Sequence, residues 1–335
     1  MKQITRQHMR RIGFSLLTFG SEGEETLKYK IPAVLVLVVL SVALALAQTP
    51  MNTSLAPAGV VSGSFSFTTI DFPGANQTRA LGLNDNGDIV GTYRDSSGVF
   101  HGYLLSQGNF TTVDVPGSIQ TRVLAINNLG VIGGHFLDSS RVRHSFLLNH
   151  GAFTIFDFPG ATATILQGMN DRGQVVGGYV DSSGNAHGFL MSSGNFTTID
   201  HPGAAGGAEG GTAAGEINDR GQIVGNYLDA SGIIHGFLLI AGSFSAIDYP
   251  GALDATEPNG IAANGEIVGR FDDNNGTEHG FTLIAGKFST VDFPNAFFTE
   301  AIRVNEAGQI VGSYILAGQH AYLATPNPIR KPRLD

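Results

Sequence analysis

The stretch Phe67-Thr-Thr-Ile-Asp-Phe-Pro-Gly74 is written six times along this chain. Its register returns at Phe110, Phe153, Phe196, Phe244 and Phe288, at spacings of 43, 43, 43, 48 and 44 residues. A period of roughly 40–50 residues with several short strands per unit marks a propeller or a related array. Within the first unit, small and apolar runs at 80–84, 89–93, 101–105 and 110–115 read as four short strands. Asn84-Asp85-Asn86-Gly87 separates the first two, and Asn/Asp-Gly pairs supply the positive φ of a tight hairpin. Asp95-Ser96-Ser97-Gly98 and Ser106-Gln107-Gly108-Asn109 mark the next two turns. Three successive hairpins make a four-stranded antiparallel meander, which is a propeller blade.

The phase of the ends carries the argument further. The repeats open on a lone fourth strand, 67–72, and close after a third strand, 320–323. Pairing these two strands would complete the last unit and remove two exposed edges. The expectation is therefore an all-β, six-bladed β-propeller of four-stranded antiparallel blades over residues 64–325, closed by the N-terminal strand. Residues 326–335 form a C-terminal tail.

Each unit also carries a histidine, a small residue and an aromatic: His101-Gly102-Tyr103, His144-Ser145-Phe146, His187-Gly188-Phe189, His235-Gly236-Phe237, His279-Gly280-Phe281 and His320-Ala321-Tyr322. An Asn-x-x-Gly-x-(Ile/Val)-(Val/Ile)-Gly stretch accompanies it, as in Asn218 to Gly225, with Ala262 replacing the asparagine in the fifth copy. Over residues 64 to about 324 the chain resembles the HAF family of extracellular repeats. The resemblance implies a bacterial exported β-repeat protein and brings no settled activity.

The N-terminal residues agree with export. Ile31 to Ala47 is an uncharged apolar run flanked by Lys28 and Lys30 and ending Ala45-Leu46-Ala47. A basic flank, an apolar core and an A-x-A end read as a cleavable secretory signal over residues 1–47, followed by a linker at 48–63. The alternative is a retained anchor, for which 17 residues is at the short limit. Location is then secreted or periplasmic, with no membrane insertion after cleavage. Residues 1–47 hold six of the basic and three of the acidic residues, which leaves 13 and 25 and a net charge of −12. Such a surface repels phosphate backbones, so nucleic acid is not an expected partner. The chain has no cysteine, and hence no disulfide or thiol chemistry.

A residue present in every repeat builds every repeat. The six histidines, and Asp71, Asp114, Asp157, Asp200, Asp248 and Asp292 beside the turn prolines, are read as architecture. The imidazoles are expected to fix the second-to-third-strand hairpin, and the carboxylates to accept nearby backbone N–H groups. No metal site is expected, because the oxygen-rich turns 84–88 and 272–276 lack the alternating calcium-loop spacing. No catalytic residue and no cofactor is expected either, as nucleophile-elbow, zincin, Walker and dinucleotide motifs are all missing.

Function is sought where the repeats differ. A threonine recurs at 78, 121, 164, 212, 256 and 299, but the next residue is Arg79, Arg122, Ile165, Ala213, Glu257 or Glu300. Three positions further on, four small residues contrast with Glu216 and Arg303. Arg79, Arg122, Glu216, Glu257, Glu300 and Arg303 are the candidate ligand-binding residues, expected around the mouth of a central channel. Ala204 to Gly211 is the one sizeable insertion. The expected function is a monomeric binding or structural module for a glycan or another exported protein. The alternative is a carbohydrate-active enzyme using Glu216, Glu257 or Glu300.

Overall fold

A computed structural model describes residues 60–62, 65–207 and 210–328. The expected signal segment and the tail from 329 onward lie outside the described residues. Strands β1 (Val60–Ser62) and β2 (Phe65–Ile70) come first. The first unit follows as β3 (Gln77–Leu83), β4 (Ile89–Arg94), β5 (Phe100–Ser106) and β6 (Asn109–Val113). The second is β7 (Gln120–Ile126), β8 (Ile132–Leu137), β9 (Arg143–Asn149) and β10 (Ala152–Phe156). The third is β11 (Ala163–Met169), β12 (Val175–Val180), β13 (Ala186–Ser192) and β14 (Asn195–Ile199). The fourth is β15 (Gly211–Ile217), β16 (Ile223–Leu228), β17 (Ile234–Ile240) and β18 (Ser243–Ile247). Then come β19 (Thr256–Ile261), β20 (Ile267–Asp272), β21 (Glu278–Ile284) and β22 (Lys287–Val291). The last are β23 (Phe298–Val304), β24 (Ile310–Ile315) and β25 (Gln319–Pro326).

The sheets correct the expected count of six blades. Units one to four are discrete four-stranded antiparallel blades, and discrete blades number four, not six. The strands of the fifth and sixth repeats, with β1 and β2, belong to one nine-stranded sheet. A single parallel pair, Glu278 opposite Phe298, merges them. In that sheet β2 lies antiparallel to β25, from Phe65 opposite Pro326 to Ile70 opposite Ala321. The interval read as a linker contributes β1, which pairs with β2 at Val60 opposite Phe67.

The apolar core is divided among the junctions between units. Val90 of β4 and Val113 of β6 pack with Val123 and Phe146 of the next unit. Val311 and Ala321 at the end of the chain pack with Ile70, Ala80 and Leu83 at its start, so the array closes on itself. Glycine is needed where neighbouring units touch: a Cβ on Gly168 would lie 2.4 Å from Glu216 Oε1. Gly87 takes φ +81°, as its hairpin requires, and Asn295, in place of the turn glycine, takes φ +62°.

Two recurrent side-chain devices fix the turns. The constant threonine accepts the backbone N–H of the residue before each turn proline, as Thr78 Oγ1 does from Phe72 N at 3.0 Å. The bond survives the insertion, from His201 N to Thr212 Oγ1 at 2.8 Å. Five of the six constant histidines act as expected on the second-to-third-strand hairpin, as His101 Nε2 does 3.5 Å from Asp95. The aspartates before the prolines chiefly take a different partner from the one expected. Asp114 Oδ2 lies 2.7 Å from His101 Nδ1, and only a 3.4 Å contact links Asp114 to a backbone N–H, that of Gly102. Both are bonds to a carboxylate, and the imidazole makes the shorter one.

Candidate functional site at the axis

Every first strand of a unit is bulged at the same place. The register shifts fall between Ala80 and Gly82, Val123 and Ala125, Leu166 and Gly168, Ala214 and Glu216, Pro258 and Gly260, and Ala301 and Arg303. A bulge leaves one residue unpaired and re-aims it. The extra residues, Leu81, Leu124, Gln167, Gly215, Asn259 and Ile302, all line one axial cavity of about 50 Å³. That volume holds one or two waters and no sugar ring. The sequence reading passed over these residues, because a bulge has no alternation signal of its own.

Arg303 closes the axis. Its Nε lies 2.5 Å from Glu216 Oε2. Its Nη1 donates to Asn259 O at 2.5 Å and its Nη2 to Gln167 O at 2.6 Å. The guanidinium therefore ties together carbonyls of the third and fifth repeats and a carboxylate of the fourth. Burial pushes the Glu216 carboxyl up, with Arg303 opposing. Leu81, Leu124, Ile165 and Ile302 form an apolar cluster at the inner strands. On the hairpin side a second cavity, of about 100 Å³, is bordered by Asp85, Asn128, Asp171, Asp219 and Glu306. Those side chains are largely occupied with capping the turn of the preceding unit, as Asp171 Oδ1 accepts from Asn128 N at 2.8 Å.

A second ring of bonds crosses the junctions. The Asn-x-x-Gly asparagine donates to a carbonyl of the following unit: Asn84 to Asn127 O, Asn127 to Asn170 O, Asn170 to Asn218 O, Asn218 to Ala262 O, and Asn305 back to Asn84 O. The link is missing at Ala262, the residue that departs from the motif.

The structure places the candidate residues as follows. Arg79 Nη2 donates to Glu300 Oε2 at 2.6 Å, and its Nε to Ser313 Oγ at 3.3 Å. Glu257 pairs across the strands with Arg270 at 2.5 Å, and Arg270 is also bonded to Glu278. Burial, opposed by Arg270 and reinforced by Glu300, pushes the Glu257 carboxyl up to about 7. Arg122 lies 4.0 Å over the Phe100 ring. Glu257 and Glu300 face the 50 Å³ cavity together, Glu216 borders the other, and Arg303 lines both. The six thus sort into separate pairs, with Arg122 on an aromatic ring. Among the described residues no group of three or more His, Cys, Asp or Glu could hold a metal ion.

A scan of protein families found no match for the chain, and a comparison with curated proteins found none either. Among solved structures it is similar to TolB from Acinetobacter baumannii, at 12% identity and a TM-score of 0.50, over 71% of this chain and 64% of that one. It is also similar to AofleA from Arthrobotrys oligospora, at 10% identity and a TM-score of 0.47, over 80% and 94% of the two chains. A streptogramin B lyase structure matches at 12% identity and a TM-score of 0.46, over 79% and 98%. At such identities the likeness concerns the fold alone. The chain is a β-propeller-type repeat protein, and among its described residues no helix is long and apolar enough to cross a membrane.

Proposed function

We propose that this chain is an exported binding module of the HAF-repeat kind that holds a glycan across the entry ends of the inner strands. One observation carries the reading. Three positions on one face of each unit's first three strands, the first two directly opposite and the third diagonal to the second, vary from unit to unit, while the turns around them repeat. They are Arg79, Thr92 and Phe100 in the first unit, and Arg122, His135 and Arg143 in the second. In the fifth they are Glu257, Arg270 and Glu278. Repetition builds the scaffold, and departure from it at one end of the inner strands supplies unlike groups for a ligand. The axial cavity is too small for a sugar, so the ligand lies over the mouth.

The enzymatic alternative rests on Glu257, whose raised carboxyl suits a general acid. Glycoside hydrolysis also needs a second free carboxylate, and Glu300 is held by Arg79. A glycan panel scored for both retention and product release separates the readings. Retention without turnover is expected; cleavage that vanishes in Glu257→Gln would refute the binding module.

A further inference from the structure

The fourth unit departs from the others at the entry end of its first strand. After the constant threonine the other units carry Arg79, Arg122, Ile165, Glu257 and Glu300, but the fourth carries Ala213. A methyl group reaches less far than any of those side chains, so the fourth unit leaves a notch. Asn226 on β16 stands directly opposite Ala213 on β15. Its counterparts in the other units are Thr92, His135, Gly178, Arg270 and Ser313, so no other unit has an amide there.

Ala213 and Asn226 both line the axial cavity of about 50 Å³, beside Glu257 and Glu300. Leu81 and Ile302 give the cavity an apolar side. Asn226 is 4% exposed, yet its side-chain amide makes no hydrogen bond to another described residue. An amide holds two donors and an acceptor, and burying them unmet is costly, so this one calls for an explanation. The two carboxylates are already matched, Glu257 by Arg270 and Glu300 by Arg79. What the cavity offers a ligand is therefore one uncommitted amide and an apolar side, with its charges balanced. That combination suits a small neutral group with a carbon at one end and a hydroxyl at the other. A hydroxymethyl group has one carbon and one oxygen, about the size of the one or two waters such a volume holds.

We propose that Asn226 and the notch at Ala213 receive the hydroxymethyl arm of a neutral hexose whose ring lies over the mouth. This rests on the glycan-binding reading and narrows it to sugars with a free primary hydroxyl. The amide meets the hydroxyl, and the arm's carbon lies against the apolar side. Pentoses lack the arm. Uronic acids would bring a third carboxylate beside Glu257 and Glu300, and like charges so placed repel.

The test uses the full chain with cellobiose, galactobiose and mannobiose, with xylobiose as the pentose and digalacturonate as the uronate. Affinity is read by calorimetry and the Asn226 side-chain amide by proton–nitrogen NMR. At least one hexose disaccharide is expected to bind about tenfold or more tighter than xylobiose or digalacturonate, and to shift the Asn226 amide. Asn226→Ala and Asn226→Leu should each erase that preference. Asn226→Leu should also melt no lower than the parent, because it removes a polar group that the fold leaves unmet. Ala213→Leu fills the notch and should weaken the hexose to the level of xylobiose. Equal binding of hexose and pentose with the Asn226 amide unmoved would keep the module and overturn this inference. A folded Asn226→Ala that keeps the preference would also overturn it. A parent that binds no saccharide would sink the glycan reading, and this inference with it.

Discussion

His101 is held from both sides, by Asp114 at Nδ1 and Asp95 at Nε2, and it stacks on Tyr93 with ring centroids 5.1 Å apart. Burial alone would lower its affinity for a proton, but Asp114 and then Asp95 outweigh that and raise it. His320 keeps Asp71 at 3.0 Å but stands beside Leu316 to Gly318 rather than an aspartate turn. His101→Gln is therefore expected to lower the urea midpoint more than His320→Gln does. Equal shifts would remove the hairpin-side aspartate from the explanation. Glu257 offers a pH test. Its folded carboxyl is raised from 4.5 to about 7, so protonation favours the fold. Its stabilising contribution is complete below pH 4.5 and lost as pH rises through about 7. Glu257→Gln should flatten the fall in melting temperature across that window, with Arg270 still held by Glu278. An unchanged pH profile would contradict it.

At the scale of the strand and turn, the bulge in each first strand and the close contact of units decide which residues are tolerated. Gly168→Ala must move Glu216 or the backbone and is expected to cost about 1–3 kcal/mol. Gly206→Ala meets nothing within 4 Å and has no positive φ, so it should melt like the parent. Differential scanning calorimetry of the pair checks this. The hairpins, the turn prolines, the constant threonines and the histidine-aromatic motif were all legible, because turn chemistry is local and written in residue types. The partners of the turn aspartates were not, since Asp114 and His101 meet only when β5 and β6 pair. The bulge residues Leu81, Gln167 and Asn259 escaped for the same reason: their direction depends on a register shift with the second strand. Arg79 and Glu300 read as neighbours around a channel mouth, and across the closing junction they form one ion pair.

Over the whole molecule, the two ends of the described chain are partners in one sheet. Phe67 is 2% exposed and packs its ring against Phe293 and Tyr322, so β2 belongs to the core it closes. Deleting residues 60–72 should remove the ladder to β25 and that burial, lowering the melting temperature by about 10 °C or more. A parent-like melt would show that the seam does not hold the array together. The same seam made the closure foreseeable from the odd phase of the repeats, but not the single parallel pair that joins the last two units.

The direction of that seam has a mechanical consequence. Phe65, where β2 begins, stands opposite Pro326, where β25 ends. Tension applied to both ends of the chain therefore loads the rungs of the ladder one at a time, from that end inward, like a zip. A shear geometry would load all six together. Under force applied at Val60 and Pro326 the sheet should part strand by strand, β1 peeling from β2 first and β2 then unzipping from β25.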